Sequence, residues 1–259
     1  MTAGGPAGWQ ERARSFGAVA ADYTALRPGY PDDVVAFAVG GEQGHRPLRR
    51  VLDLAAGTGL LTAPLAAAGH EVVAVEPAEG MLAQLGERLP SVTALAGSAE
   101  SVPLPDGAVD VVTAAQAAHW FDPAPAAAEL LRVLRPGGAV TFVWNMRDAR
   151  VAWSAALDDL LAAEDVERFT EDAVVAAFVR ELDAELSTHR SVVLQPSTPE
   201  GVVAGLATRS YVATMDDRRR AEFLAAVRDL LATHPGTRGR ETIDIPLVST
   251  AWRLTSRAG

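Results

Sequence analysis

From Arg50 onward, short apolar runs alternate with alanine- and leucine-rich stretches whose apolar positions recur every three to four residues. That alternation predicts a parallel sheet covered by helices. Strands are expected over Arg50–Ala55, Glu71–Glu76, Val92–Ala96, Val109–Ala114 and Ala139–Asn145. Helices are expected over Leu60–Ala68, Ala78–Arg88 and Pro123–Leu134, the last opened by Asp122 as N-cap. Asp106-Gly107 and Pro136-Gly137-Gly138 mark tight turns. Further on, Val151–Glu164, Glu171–Leu186 and Asp216–Thr233 read as helices and Ser191–Gln195 as a strand. Glu241–Leu254 carries β-branched residues around Pro246 and reads as one or two strands of a hairpin at a sheet edge. Ahead of the sheet, one helix is expected near Gln10–Asp22 and another after Pro31. Since no Gly/Ser linker interrupts the pattern, residues 1–259 are read as one domain, with a core over 48–146 and a cap built from 1–40 and 199–239.

Composition narrows the chemistry. The 23 basic residues are all arginine, so lysine Schiff bases and a P-loop lysine are excluded, and the absence of cysteine removes thiolate nucleophiles and cysteine metal sites. The five histidines, His45, His70, His119, His189 and His234, show no metal-ligand spacing, so no metal is expected. With 33 acidic residues the net charge is −10, a field that repels nucleic-acid backbones and anionic membranes alike. No leader-like start and no run of 18 apolar residues occurs in the sequence, and a cytoplasmic location is the expectation.

The sharpest local signal is Val51-Leu52-Asp53-Leu54-Ala55-Ala56-Gly57-Thr58-Gly59, a strand running into a Gly-x-Gly turn before a helix. Glycines there admit a ligand close to the backbone. The third glycine of a dinucleotide fingerprint is replaced by Thr62, which disfavours a nicotinamide oxidoreductase. Asp53 places a carboxylate beneath the loop, where pyrophosphate is repelled and an ammonium attracted. A buried acid paired with Arg49, Arg50 or loop amides is the alternative. Glu76, at the end of the second strand, suits a ribose diol, or is a plain strand-end acid. Both anions fit a cofactor with an adenosine ribose and positive charge but no phosphate, namely S-adenosylmethionine.

At this point the chain resembles the class I S-adenosylmethionine-dependent methyltransferases, in particular the small-molecule group of ubiquinone-pathway-like and trans-aconitate-type enzymes. The resemblance rests on residues 51–59, Glu76-Pro77, Gly97-Ser98-Ala99-Glu100, His119-Trp120-Phe121-Asp122, residues 131–138 and Trp144-Asn145. It implies an α/β, Rossmann-like, seven-stranded sheet with the last strand antiparallel, helices on both faces and a helical cap. It further implies that Gly57 and Gly59 hold the methionine part of the cofactor, Glu76 the ribose hydroxyls, and Ala99 and Glu100 the adenine, with Ala55, Pro77 and Ser98 also on the cofactor. Met81 packs on the adenine face or is ordinary helix core, and Gln116 faces the sulfonium or is a loop residue.

The acceptor is expected to be a small molecule methylated on oxygen, since neither an amine-recognition motif nor a lysine or cysteine is present. A hydroxyl acceptor wants a base, for which His119 is the candidate; a carboxylate wants cationic clamps, for which Arg27 and Arg209 are candidates. Tyr23, Tyr30, Trp120, Asn145 and Tyr211 complete the expected acceptor side. The alternative is a cofactor-binding protein of the same fold that acts as a cyclase, isomerase or regulatory subunit. S-adenosylhomocysteine is the expected product.

Overall fold

The computed structural model describes residues 27–41, 48–164, 169–213 and 215–257, with only the backbone of Ser210 and Tyr211. Seven strands form one sheet in the order β3-β2-β1-β4-β5-β7-β6. Strands β1 (Arg50–Leu54), β2 (Glu71–Glu76), β3 (Thr93–Ala96), β4 (Val109–Ala115) and β5 (Leu134–Arg147) run parallel. Strand β7 (Ile243–Ser256) is antiparallel to both β5 and β6 (Ala184–Ser197). The chain order reverses between β1 and β4, which creates the crevice at their carboxyl ends where ligands of open α/β sheets bind.

The helices are α1 (Asp32–Ala38), α2 (Thr62–Ala67), α3 (Glu79–Arg88), α4 (Pro123–Val133), α5 (Ala152–Ala163), α6 (Glu171–Glu181), α7 (Pro199–Ala207), α8 (Ser210–Ala213) and α9 (Asp217–Thr233). Leu130 and Val133 of α4 and Val175 and Phe178 of α6 pack with Phe142 and Trp144 of β5 in the largest core. Val34, Val35 and Ala38 of α1 pack with Val51, Leu65 and Val143 in a second core. The two β5 sets alternate, as the two-residue period of a strand buried on both faces requires.

A third core joins three helices of the second half of the chain. Trp153, Leu157 and Leu161 of α5 are buried with Val202, Val203 and Leu206 of α7 and Phe223, Val227 and Leu231 of α9. Helix α5 thus packs with the 199–239 segment. Thr198 and Asp216 open α7 and α9 by accepting the Gly201 and Arg219 N–H groups at 3.0 and 2.9 Å.

Three expectations need correction. The 241–254 stretch is no edge hairpin: β7 is a single strand inserted between β5 and β6, and β6 is the edge. Pro246 is accommodated because its neighbour in register is Leu194 on that edge strand, and its carbonyl accepts the Asp148 N–H at 2.9 Å. The helix expected to reach Leu186 stops at Glu181, followed by Asp183 at φ 43°, because residues 184–197 pair along their whole length with β7. The Pro136-Gly137-Gly138 turn is an irregularity within β5, where Gly137 takes φ 75° and the register with β4 shifts between Val109 and Val111. The helix expected near Gln10–Asp22 lies outside the described residues.

Candidate functional site

Strand β1 delivers Asp53, and the loop after it delivers Gly57 and Gly59, both in the left-handed region at φ 58° and 83°. Two non-glycine residues share that conformation at the same end of the sheet: Ala55 (φ 54°) after β1 and Gln116 (φ 56°) after β4. Such backbone costs energy and concentrates at functional sites. Ala55, Gly57 and Gln116 line one cavity of about 50 Å³ together with Asp53, and Arg27, Tyr30 and Arg209 are also in its lining. A larger cavity, about 280 Å³, lies between Arg50, His70, Glu71, Ser91 and Thr93 where β1–β3 begin. The smaller one is the candidate site, because it sits at the carboxyl ends of the strands.

Two buried carboxylates govern the electrostatics. Glu76 accepts the Gly57 N–H at Oε2 and the Ala78 N–H at Oε1, each at 2.8 Å, so β2 holds the loop of β1 in place. Burial raises its pKa, and those two N–H bonds oppose the rise. Among the described residues Asp53 pairs with no arginine. Its Oδ2 accepts the Thr62 hydroxyl at 2.6 Å and its Oδ1 the Thr113 hydroxyl at 3.1 Å. Burial pushes its pKa up to about 6 despite both hydroxyls, and the charge of Glu76 adds to the rise. Asp53 therefore acts on the loop through its field, being only 1% exposed. Two desolvated anions favour a ligand that brings positive charge.

The sequence marks Thr62 only as the missing fingerprint glycine and does not mark Thr113, so neither is legible there as a partner of Asp53. The available signals were a threonine inside the apolar run Val109–Ala115 and another where a fingerprint glycine was missing.

The parallel register sets Ala96 of β3 beside Glu76, so residues 97–100 follow next to Pro77 and Ala78. Ser98 pairs its backbone with Ser101, Ala99 is buried with Val75 and Val102, and the exposed Glu100 accepts the Asp122 N–H at 3.1 Å. Arg132 of α4 braces the adjoining segment, donating to the Leu104 and Val102 carbonyls at 2.7 and 3.0 Å, while Glu129 accepts the Val102 N–H at 2.8 Å. The Arg132 guanidinium holds the Glu129 carboxyl down at about 2. The 131–138 motif is thus partly a brace for this loop. Met81 of α3 is buried, and its Sδ would lie 3.6 Å from a Cβ at position 57.

His119 sits elsewhere. In the 3-10 turn Ala118–Trp120 its ring stacks on Phe169 (centroids 3.8 Å apart, planes 7° apart), and its Nδ1 accepts the Trp144 indole N–H at 3.5 Å. Trp120 tilts against it at 4.7 Å. Burial lowers the imidazole pKa to about 3, so the ring is neutral. Neither His119 nor Trp120 is in the lining of the cavity. Asn145 donates from Nδ2 to the Gly29 carbonyl at 3.1 Å, and its own carbonyl accepts Gln116 Nε2 at 3.1 Å. Tyr23 and the Tyr211 side chain lie outside the described residues.

A methyltransferase-domain family model matches residues 52–142. An uncharacterized methyltransferase of Mycobacterium tuberculosis is 39% identical over 241 residues, 93% of this chain and 95% of that protein. The chain belongs to the class I S-adenosylmethionine-dependent methyltransferases. The fold of this methyltransferase is similar to that of a solved structure assigned as a type II methyltransferase from Anaeromyxobacter dehalogenans, with a TM-score of 0.67 and 26% identity over 90% of this chain and 98% of that one. The 4+2 cyclase SpnF shares the fold at a TM-score of 0.58 and 16% identity, covering 96% of each chain. The donor set fits S-adenosylmethionine, since two buried carboxylates answer its charge and Glu76 retains unused lone pairs beyond its two backbone bonds. No helix among the described residues is long and apolar enough to cross a membrane.

Proposed function

We propose that this methyltransferase methylates an oxygen of a small acidic acceptor, a carboxylate in preference to a hydroxyl. The observation that carries the reading is the cavity above the Gly57 loop, which receives Arg27 and Arg209 from two separate cap segments while His119 is outside its lining. S-adenosylmethionine supplies a methyl group on cationic sulfur. Glu76 is assigned to the ribose hydroxyls, the Gly57–Gly59 loop and Ala55 to the methionine part, residues 98–100 and Met81 to the adenine, and Gln116 to the sulfonium end.

With S-adenosylmethionine held by these residues, an acceptor oxygen would take the methyl group by in-line displacement, the electron pair of the carbon–sulfur bond going to sulfur. This in-line displacement needs alignment within about 3–3.5 Å and exclusion of water, which the cap residues Arg27, Tyr30 and Arg209 can provide. A carboxylate acceptor carries no proton to remove, so no base is required. A hydroxyl must lose one, and an imidazole with a pKa near 3 is a poor base for it. The guanidinium pair supports carboxylate recognition because its fork bonds both oxygens.

Methyl transfer to a panel of small carboxylic acids, phenols, alcohols and amines, with products identified by mass spectrometry and proton NMR, tests the reading. A methyl ester is expected. Arg209→Met should raise the acceptor KM by about 10–100-fold with S-adenosylhomocysteine affinity unchanged, which separates acceptor binding from a role on the cofactor's own carboxylate. His119→Phe should change turnover by less than about 10-fold, with a rate flat above roughly pH 5. A product methylated on nitrogen or carbon overturns the proposal.

A further inference from the structure

Strand β5 presents Thr141, Val143 and Asn145 on the face that receives α1, as their alternation with Phe142 and Trp144 requires. Val143 packs in the α1 core, and the two polar residues flanking it each bond a carbonyl of the segment that crosses this face. Thr141 Oγ1 donates to the Ala38 carbonyl at 2.8 Å, at the end of α1. Asn145 Nδ2 donates to the Gly29 carbonyl at 3.1 Å, ahead of α1. Gly29 lies between Pro28 and Tyr30, which both line the candidate cavity. On its other side Asn145 accepts Gln116 Nε2 through its backbone carbonyl, and Gln116 lines the same cavity in a left-handed backbone.

We infer that Asn145 is a positioning residue, the latch that holds residues 27–30 closed over the cofactor and registers them against Gln116. The inference rests on the proposed placement of the cofactor in this cavity. It assigns Asn145 to the lid, where the sequence had suggested contact with the acceptor. The amide itself carries the argument. Asn145 is 4% exposed and its Oδ1 is buried with no hydrogen-bond partner among the described residues, an arrangement that costs stability. An apolar side chain would avoid that cost, but only Nδ2 can meet the Gly29 carbonyl. The carbonyl also fixes the orientation of the amide, since the flipped form would set two acceptors against each other.

The chemistry predicts a distinctive behaviour for Asn145→Asp. An ionised carboxylate would repel the Gly29 carbonyl, whereas the protonated acid can donate to it, and burial raises the pH at which the change occurs. The latch should therefore fail at high pH and recover as pH falls, a dependence absent from wild type.

Hydroxyl-radical labelling of Tyr30, followed by mass spectrometry on the free protein, reports the lid without any ligand; stopped-flow release of S-adenosylhomocysteine reports its coupling to the site. In Asn145→Ala, with a melting temperature within a few degrees of wild type, Tyr30 labelling should rise several-fold and release should quicken at least about 10-fold. Asn145→Asp should do the same at pH 8 and approach wild type near pH 5. Should Asn145→Ala fold poorly, the pH series of Asn145→Asp decides alone. Unchanged Tyr30 labelling in both variants overturns the latch, and faster labelling with unchanged release overturns its control of the site. If wild type binds no S-adenosylhomocysteine, the proposed cofactor placement fails and this coupling with it, while the Tyr30 arm still shows whether Asn145 holds the lid.

Discussion

The Glu76 carboxylate and the Gly57 N–H meet at 2.8 Å, so the acid that ends β2 is also the anchor of the glycine loop that follows β1. Its other oxygen takes the Ala78 N–H at the start of α3. One side chain therefore shapes the loop and, in the proposed placement of the cofactor, also faces its ribose.

Replacing Glu76 by alanine leaves two backbone donors without their acceptor. The free protein should lose about 1–3 kcal/mol of stability, and S-adenosylhomocysteine affinity should fall by about 1.5–3 kcal/mol. Denaturant melts and titration calorimetry measure the two separately. Unchanged affinity in a folded variant would remove Glu76 from the binding site.

Asp53 titrates near pH 6 in the fold against 3.8 when exposed. The folded state therefore binds this proton more tightly than the unfolded chain does. The contribution to stability is fully present below the exposed pKa and is lost as pH rises through about 6. In Asp53→Asn that loss disappears, so the variant should gain on wild type by roughly 2–3 kcal/mol between pH 4 and pH 7, with no further change above. Denaturation at the two pH values checks the sign. A gain as pH falls instead would mean that Asp53 is held ionised.

The two loop glycines should fail differently. A Cβ at Gly59 would lie 2.9 Å from Leu89 Cδ1 and 3.3 Å from Leu85 Cγ, whereas at Gly57 the nearest atom is Met81 Sδ at 3.6 Å. Left-handed backbone costs either alanine about 1–2 kcal/mol. Gly59→Ala adds the collision with α3 and should be the less stable in thermal melts. Gly57→Ala should fold and lose S-adenosylhomocysteine affinity, because the loop then presents a side chain to the ligand. Equal affinities for Gly57→Ala and wild type would place the cofactor elsewhere.

The sequence by itself determined the parallel core and its loop. In β1, β2 and β4 the apolar runs are short, flanked by turns and buried on both faces, so local pattern and final burial agree. Gly57, Gly59, Asp53 and Glu76 were legible for the same reason, since a strand that ends in a glycine turn must bring them to one end of the sheet. What tertiary structure decided is everything whose partner is distant in sequence. Residues 184–186 are strand because β7 pairs with them, against a local pattern that carried the helix to Leu186, while Ser191–Gln195 is the strand its pattern predicts within the longer Ala184–Ser197. Thr113 became a ligand of Asp53 across 60 residues, and Asn145 met Gly29 across 116. His119 stands in a promising motif, yet its ring is stacked on Phe169 and desolvation keeps it neutral. Local spacing encodes which way a side chain faces. Only packing sets what it meets there, and with it whether a carboxyl is pushed up, an imidazole is held neutral, or an amide closes a lid.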